Sequence, residues 1–208
     1  MPRDGGPARL RLRQAALELY EQRGFDQVTI AEIAARAGVT ERTFYRHFAD
    51  KREVLFDGEA ALRDVLVAAV ADAPGDLEPL PTLLWSFRCA ASLFEGNRRF
   101  SEPLRRVIAD TPALRERQQT KTALLTEALA AALRERGTGE STAALAAQVG
   151  MAAFSQAAAA WFRQPDQDPD KLLADVVEDL RALTAPLAAK GPRARPDAAV
   201  RGAAAVRR

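Results

Sequence analysis

Residues 29–48 read TIAEIAARAGVTERTFYRHF, and Lys51 follows three positions later. Thr29 stands at the N-cap of a first helix, with Glu32 at the third helical position of a capping box. One apolar stripe at helical spacing follows, formed by Ile30, Ile33, Ala34 and Ala37. Gly38 ends this helix, because glycine adopts the left-handed conformation of a helix terminus at little cost. The stretch therefore predicts a helix, a tight turn and a second helix.

The second helix is short and has two distinct faces. Thr40 is its predicted N-cap, and Phe44 and Phe48 lie one turn apart on the side that faces the core. The outward face is polar, basic and aromatic, and consists of Glu41, Arg42, Thr43, Tyr45, Arg46 and His47. Such a helix is typical of those that enter the major groove of DNA. The alternative, an ordinary helical hairpin with a solvated polar face, does not require the turn glycine, the two caps and the outward tyrosine.

Residues 9–56 resemble the DNA-binding domain of the tetracycline-repressor (TetR) family. The resemblance rests on the leading helix Leu10–Gly24 with Phe25, the Thr29 cap, the AGVT turn at residues 37–40, the FYRHF motif at residues 44–48 and Lys51. These motifs cover about a quarter of the chain. The resemblance implies an all-α fold, with an N-terminal three-helix helix-turn-helix domain and a larger C-terminal helical domain for ligand binding and dimerisation.

The resemblance also implies roles in DNA binding. Thr29 and Thr40 are expected to contact phosphates at helix N-termini, and Tyr45, His47 and Lys51 to contact the DNA backbone. Base reading falls to Glu41, Arg42 and Thr43, whose side chains suit cytosine, guanine and thymine respectively. Arg46 completes the predicted DNA-binding set. At position 31, where some members carry a long polar residue that reaches a base, this chain has Ala31. For His47 the alternative is a structural or surface histidine.

Composition narrows the classes of function. The 208 residues are 48% hydrophobic, which is enough for a core. The sequence contains no uninterrupted run of 18 apolar residues, so no membrane helix is predicted. The chain has one cysteine, Cys89, so it cannot form an internal disulfide. It also has only one histidine, His47. No catalytic cluster, metal site or cofactor motif is visible in the sequence. We expect a cytoplasmic protein that is neither an enzyme nor a membrane protein.

Charge is unevenly distributed along the chain. The net formal charge is +2, but it is +2 over residues 1–56, −5 over residues 57–189 and +5 over residues 190–208. The acidic middle part is not expected to touch nucleic acid. Four arginines, Arg3, Arg9, Arg11 and Arg13, form a basic arm that leads into the first helix. This arm either contacts phosphates or a minor groove, or is a solvated end.

About nine helices and no strands are predicted. Four segments are expected: a flexible basic arm at 1–8, the helix-turn-helix domain at 9–56, the ligand-binding and dimerisation domain at 57–189, and a disordered basic tail at 190–208. The C-terminal helices are predicted over residues 51–73, 82–96, 97–109 (with Pro103 inside), 111–136, 141–162 and 170–187. The apolar side of the helix at 111–136 is formed by Leu114, Leu124, Leu125, Leu129 and Leu133.

The last two helices are candidates for a homodimer interface. The helix at 141–162 is alanine-rich and apolar nearly all round, so it must be buried on most faces. The helix at 170–187 has a leucine and valine stripe. Together they suit an intermolecular four-helix bundle, in which a charge at Ala157 or Leu180 would split the dimer. The alternative is that both helices are buried within one subunit.

The C-terminal domain is expected to hold an apolar effector cavity, because that is what the resemblance implies. The candidate lining residues are Trp85, Arg88, Cys89, Phe94, Phe100, Met151, Phe154 and Trp161. An arginine in such a cavity favours an anionic ligand. Residues 105–117 and the alanine-rich helix faintly resemble C-terminal domains that bind acyl-coenzyme-A-like ligands. The candidate effectors are therefore fatty acyl molecules, with aromatic molecules as the alternative. The alternatives are that these aromatic residues are ordinary core and that Arg88 is exposed.

Three functions compete on the sequence alone. The first is a ligand-responsive homodimeric repressor that a small apolar or amphipathic effector releases from a palindromic double-stranded DNA operator. The second is a small enzyme that uses the cavity, against which stand the missing nucleophile–base pair and phosphate-binding loop. The third is a helical adaptor whose hairpin binds protein. A salt-dependent mobility shift with promoter DNA separates them.

Overall fold

The computed structural model describes residues 6–91, 98–164 and 166–184, which form nine α-helices, one 3-10 helix and no strand. The all-α prediction is confirmed. The helices are α1 Gly6–Arg23, α2 Ile30–Arg36, α3 Glu41–His47, the 3-10 helix Glu53–Phe56, α4 Glu59–Asp72, α5 Pro79–Cys89, α6 Arg98–Asp110, α7 Pro112–Glu135, α8 Glu140–Arg163 and α9 Pro169–Thr184. Residues 6–8, predicted as part of a flexible arm, are helical, whereas the predicted tail at 190–208 lies outside the described residues.

The first hydrophobic core belongs to the N-terminal helices. Leu12, Ile33, Phe44 and Val54 are fully buried in it and come from α1, α2, α3 and the 3-10 helix. The same cluster includes three residues from the end of α6 and the start of α7, namely Val107, Ile108 and Leu114. The core of the helix-turn-helix therefore continues into the C-terminal part of the molecule.

The second core is formed by α4, α5, α7, α8 and α9. Its buried residues include Leu66, Leu83, Phe87 and Leu133. Gly150 of α8 lies where α5 crosses, and a Cβ atom at this position would stand 2.8 Å from Cδ1 of Leu83. The absence of a side chain at residue 150 thus allows the close packing of α5 on α8.

The connection between the two cores differs from the predicted continuous helix over residues 51–73. The 3-10 helix ends at Phe56, and α4 begins only after Gly58, which has φ +97°. This left-handed conformation is cheap for glycine alone, so Gly58 interrupts the helix. Arg136, which follows α7, donates hydrogen bonds to carbonyls at the other end of α4, those of Val70, Ala71, Ala73 and Pro74.

The start of α5 was also predicted wrongly. Thr82 is not its cap but lies inside the helix, 1% exposed, with its hydroxyl donating to the carbonyl oxygens of Leu77 and Glu78. The helix begins at Pro79 instead. Backbone N–H groups in the first turn have no acceptor within the helix, so proline, which lacks an N–H, loses no hydrogen bond there. The helix ends at Cys89, and the predicted continuation to Phe94 falls on residues 92–97, which lie outside the described part.

Within one subunit, the predicted burial of α8 on most of its faces is incomplete. Leu145 of α8 is 62% exposed, and Ala152 is exposed as well. Two leucines counted among apolar stripes are exposed too, Leu124 at 64% and Leu183 at 83%. By length and composition alone α8 is apolar enough to cross a membrane, but its buried face packs in the second core, as core helices do. Periodicity identifies an apolar face without saying what covers it.

Candidate nucleic-acid interface and apolar pocket

The helix-turn-helix begins with the predicted capping box. The N–H of Glu32 donates to Oγ1 of Thr29 at 3.3 Å, and the N–H of Thr29 donates to Oε2 of Glu32 at 2.9 Å. Arg23 holds the other carboxylate oxygen at 2.7 Å. Hydrogen bonds from Thr29 and Arg23 lower the pKa of Glu32 to about 2, so this carboxylate stays ionised. Because both donors of Thr29 are bound to Glu32, the predicted phosphate contact requires its hydroxyl to turn away from this carboxylate.

The turn is held from both sides. Gly38 has φ +68°, and the N–H of Val39 donates to the carbonyl of Ala34, which closes the end of α2. Nε of Arg11 donates to the carbonyl of Ala37 at 3.1 Å and ties the turn to α1. At Thr40, the hydroxyl accepts from the N–H of Thr43, so the predicted cap of α3 is present. The orientation of α3 is therefore set by local caps and by α1.

The two faces of α3 are as the pattern predicted. Phe44 is completely buried and its ring lies 5.6 Å from that of Phe48. Glu41, Arg42 and Arg46 are exposed, and Tyr45 is 55% exposed. Thr43 is half-buried, with its hydroxyl 3.1 Å from that of Thr40. The solvent-exposed face thus offers one carboxylate, two guanidinium groups and one phenol.

His47 lies at the end of this face and is half-buried. Its Nε2 atom is buried and has no hydrogen-bond partner among the described residues. Burial lowers the pKa of His47 below its ordinary value, and the nearby charges of Arg46 and Arg9 lower it further. The imidazole is therefore neutral at pH 7. In the predicted phosphate contact it would act as a neutral N–H donor and not as a cation.

Lys51 has a structural role that the sequence did not suggest. Its ammonium group donates to the carbonyl oxygens of Phe25 and Val28 at 2.9 and 3.0 Å, and lies 4.3 Å from the centre of the Phe25 ring. Nor does Lys51 begin a long helix. Two of its three N–H donors thus hold the loop that precedes the Thr29 cap, and only the third remains for a phosphate.

Lys51→Met is expected to lower the free energy of unfolding by about 1–2 kcal/mol, because it leaves two loop carbonyls without their charged donor. Urea denaturation measures this loss, and Arg52→Met is the matched control, since Arg52 makes only an exposed ion pair with Asp50. The salt dependence of DNA affinity tests the phosphate contact separately: its slope falls by about one ion per subunit if the third donor reaches the DNA. Equal stability of the two variants would contradict the structural role.

Asp57 is a residue that sequence reasoning missed. Its side chain is 13% exposed and bonds to Arg9 of α1, with Nη2 2.6 Å from Oδ1. Arg9 also lies over the Phe48 ring, 5.3 Å from its centre. The basic arm at Arg9, predicted to contact phosphate, is thus anchored to the residue that precedes Gly58 and α4. The two residues are far apart in the chain, so no local sequence pattern predicts this pairing.

A second ion-pair network joins the 3-10 helix and α4 to α7. Glu53 binds Arg117 at 2.5 Å and Lys121 at 3.2 Å, and Lys121 also binds Glu59 at 2.7 Å. The ammonium group of Lys121 lies 5.5 Å from the centre of the Phe56 ring, and only 16% of the Lys121 side chain is exposed. Burial raises the pKa of Glu59, whereas the hydrogen bonds from Arg117 and Lys121 hold the pKa of Glu53 below its ordinary value despite its partial burial. Lys121 therefore neutralises two carboxylates at the junction of the cores.

Lys121→Met is expected to destabilise the protein by about 1–2 kcal/mol at pH 7.5, less than a fully buried pair would lose, since water reaches these groups. The loss should shrink at pH 5. Burial holds the folded-state pKa of Glu59 above its unfolded value, and the variant also lacks the Lys121 hydrogen bond that lowers this pKa. On acidification Glu59 is therefore protonated more readily in the variant than in the parent, which removes the cost of its unpaired charge. Urea denaturation of variant and parent at both pH values measures this, with Arg63→Met, an exposed α4 residue, as control. A loss that grows on acidification would contradict this account.

An apolar pocket lies between α5, α8 and α9. The rings of Phe87 and Phe154 stack at 4.5 Å with 25° between their planes. Trp161, Ala157 and Leu173 complete its apolar wall. At the opening Arg88 and Asp170 form an ion pair, with Nε 3.7 Å from Oδ1. The pocket therefore has an apolar interior and one charge of each sign at its mouth.

The structure places the predicted ligand-binding residues in different surroundings. Arg88, Phe154 and Trp161 line the pocket as expected. Met151 is buried in the second core, and Trp85 and Cys89 are exposed, so these three do not line the pocket in this structure. Phe94 lies outside the described residues, as does the side chain of Phe100. Phe87 and Asp170 were missed.

The pocket is narrow in this state. It is an open depression of about 480 Å³, but only about 50 Å³ of it admits water-sized molecules, which is room for a few waters. Cavities that hold drug-sized ligands measure several hundred Å³ and enclose most of the ligand. A ligand of that size must therefore push the lining side chains apart.

A separate apolar groove runs between α8 and α9 on the outside of the subunit. It is lined by Val149, Ala152, Ala153, Gln156, Ala160, Arg163, Leu172, Asp175, Val176, Asp179, Leu180 and Leu183. Ala157, named in the sequence as a dimer residue, does not lie in this groove but in the pocket and is 6% exposed. A charge at Ala157 would thus disrupt the subunit itself, which corrects the prediction made for it. Leu180 belongs to the groove.

Among residues 6–91, 98–164 and 166–184, no group of three or more His, Cys, Asp or Glu side chains is placed to hold a metal ion. The lone histidine lies on α3, which packs in the first core, and the lone cysteine lies on α5, which packs in the second. The expectation that the chain has no metal and no catalytic site stays a prediction.

Comparison with known proteins agrees with this architecture. The family model described as bacterial regulatory proteins of the tetR family matches residues 12–57. The HTH-type transcriptional regulator TcmR of Streptomyces glaucescens is 36% identical over 77 residues, which are 37% of this chain and 34% of that protein. The HTH-type transcriptional regulator Mb2274c of Mycobacterium bovis is 30% identical over 123 residues, 59% of this chain and 63% of that one. The chain thus matches about one third of the length of TcmR and less than two thirds of the length of Mb2274c.

Among solved structures, that of a TetR-family transcriptional regulator from Syntrophomonas wolfei superimposes with a TM-score of 0.61. It is 16% identical, and the match covers 90% of this chain and 100% of that one, so it bears on the fold alone. The matched segment 12–57 contains the capping box, the glycine turn and the exposed face of α3. Residues 12–57 thus form a DNA-binding domain of the tetR family of bacterial regulatory proteins, and the whole chain has the fold of a TetR-family regulator.

Proposed function

We propose that the protein is a homodimeric, cytoplasmic repressor that binds a palindromic DNA operator and is released from it by a small apolar or amphipathic effector. The observation that carries the proposal is the exposed face of α3. Glu41, Arg42, Tyr45 and Arg46 face solvent while Phe44 is fixed in the core. Such a helix presents hydrogen-bonding groups to base edges and phosphates at a fixed orientation.

We propose a division of labour on this surface. Glu41 and Arg42 stand in the first turn of α3, the part of a recognition helix that contacts base edges. Tyr45, Arg46, His47 and the capping hydroxyls of Thr29 and Thr40 would contact phosphates, which fix register and not sequence. Thr43, half-buried and bonded to Thr40, has a smaller share in base reading than the sequence suggested.

Dimerisation is proposed through the groove between α8 and α9. In a single subunit this groove exposes valine, leucine and alanine side chains on two adjacent helices. Monomeric proteins rarely leave such a contiguous apolar surface open. Small residues on α8 and branched ones on α9 suit the packing of two copies around a two-fold axis. One recognition helix per subunit then reads one half-site of a palindrome.

The effector is proposed to bind in the pocket of Phe87, Phe154 and Trp161. The same two helices line both the pocket and the groove. On α9, Leu173 faces the pocket and Leu172 faces the groove; on α8, Ala157 faces the pocket and Ala160 faces the groove. Widening the narrow pocket therefore displaces helices of the proposed dimer interface. That displacement would change the distance between the two α3 helices, so that they no longer match successive major grooves.

The energetic requirement is modest. For a hundredfold release of DNA the effector must bind the DNA-incompetent state about 2.7 kcal/mol more tightly. The link to the N-terminal domain would pass through the shared core at α6–α7 and through the ion pairs of Lys121. The Lys121→Met variant thus also reports on coupling, as the ratio of DNA affinities with and without effector.

The experiment that tests the proposal selects genomic DNA fragments on the purified protein and footprints the bound ones. We expect a protected site with two symmetric halves, occupied by two subunits, and an affinity that falls steeply with salt. Equal affinity for random DNA would contradict the proposal. Titration of the bound complex with fatty acids, acyl-coenzyme A and planar aromatic drugs should then reveal releasing compounds. Phe154→Ala should weaken their binding, while Leu124→Ala, on the exposed side of α7, should not.

A further inference from the structure

The mouth of the apolar pocket carries two opposite charges from distant parts of the chain. Arg88 comes from the last turn of α5 and Asp170 from the first turn of α9. Both line the pocket, and their Nε and Oδ1 atoms lie 3.7 Å apart. Their side chains are 54% and 59% exposed, so the pair sits at the entrance and not inside the apolar wall.

We infer that Asp170 is a specificity-determining residue of this pocket, which selects effectors whose polar end is neutral and rejects simple anions. The inference rests on the proposed effector pocket and deepens it. An anion that approaches Arg88 comes within a few Å of the Asp170 carboxylate and is repelled by it. A cation that approaches Asp170 meets Arg88 in the same way.

A neutral polar group suits both side chains at once. A carboxamide or a hydroxy-carbonyl group accepts a hydrogen bond from the guanidinium and donates one to the carboxylate. Such a ligand completes the pair, whereas a singly charged ligand leaves one member with a like charge beside it. The apolar remainder would lie against Phe87, Phe154 and Trp161.

This changes the ligand class that the sequence predicted. Arg88 by itself favours an anionic ligand, but in the structure its charge is offset by Asp170. Because both groups are half in water, screening limits the discrimination to roughly tenfold, the equivalent of about 1.4 kcal/mol.

The test uses three probes of the same chain length: decanamide, decanoate and decylamine. Their affinities for the full-length protein are measured by calorimetry, with quenching of tryptophan fluorescence as a second readout. We expect the parent protein to bind decanamide most tightly. Asp170→Asn should tighten decanoate binding about tenfold and leave decanamide within twofold. Arg88→Gln should do the same for decylamine.

Glu178→Gln is the matched control, since it removes the same charge from an exposed position of α9 that does not line the pocket. Asp170→Asn keeps the shape of the side chain, and thermal denaturation verifies that both variants fold. If Glu178→Gln tightens decanoate binding as much as Asp170→Asn, the effect is one of net charge and the inference is wrong.

Two failures are distinguishable. If decanoate and decanamide bind the parent equally, Asp170→Asn changes neither, and Phe154→Ala weakens both, the inference about Asp170 is overturned while the pocket stands. If none of the three probes binds the parent in a manner sensitive to Phe154→Ala, the proposed pocket is wrong and the inference falls with it.

Discussion

Leu180→Glu is expected to convert the protein into monomers. Leu180 lies in the groove between α8 and α9, next to Val176, and the proposed two-fold axis brings the same groove of a second copy onto it. The variant would bury a carboxylate without a partner from each subunit. An unpaired charge in such an interface costs several kcal/mol, which raises the dissociation constant by three orders of magnitude or more.

Sedimentation velocity at micromolar concentration measures the outcome. The parent should sediment as a dimer and the variant as a single chain of 22.6 kDa. Leu124→Glu is the matched control, because Leu124 is a solvent-exposed leucine on α7, outside the groove. Thermal denaturation should show the fold of the Leu180→Glu monomer intact, since the substituted side chain lies outside the second core. A variant that remains dimeric at low micromolar concentration would move the interface to another surface.

Arg42→Ala should produce the second large effect, on sequence-specific DNA binding. Arg42 is exposed in the first turn of α3, and a bidentate arginine–guanine contact contributes about 1–3 kcal/mol per half-site. On a palindrome the loss counts twice, so operator affinity should fall by between roughly thirtyfold and twenty-thousandfold. The preference at one base position in each half-site should relax at the same time.

Fluorescence anisotropy with operator and random duplexes measures both quantities. Affinity for random DNA should change little beyond the loss of one charge, and Arg63→Ala, an exposed arginine of α4, should leave both affinities unchanged. Equal losses on operator and random DNA would assign Arg42 to a phosphate and not to a base.

Local features of the helix-turn-helix were predictable because they depend on neighbouring residues. The Thr29–Glu32 capping box and the Thr40 cap join residues three positions apart, and Gly38 needs only its own conformational freedom. Phe44 and Phe48 repeat at helical spacing. Where a local rule failed, another local one competed with it: Pro79 opens α5 before Thr82 can cap it, and Gly58 divides the helix predicted from Lys51.

The sequence by itself thus determined the all-α class, the TetR-type helix-turn-helix of residues 12–57 and the outward face of α3, since caps, turns and periodicity act over one or two helical turns. Only the tertiary structure decided the pairings between distant residues: Lys51 with the loop carbonyls, Asp57 with Arg9, and Arg88 with Asp170. It also decided which apolar residues of α8 face the subunit's own pocket and which face the open groove. A helical period specifies that a face is apolar, but what covers that face depends on packing between elements far apart in the chain.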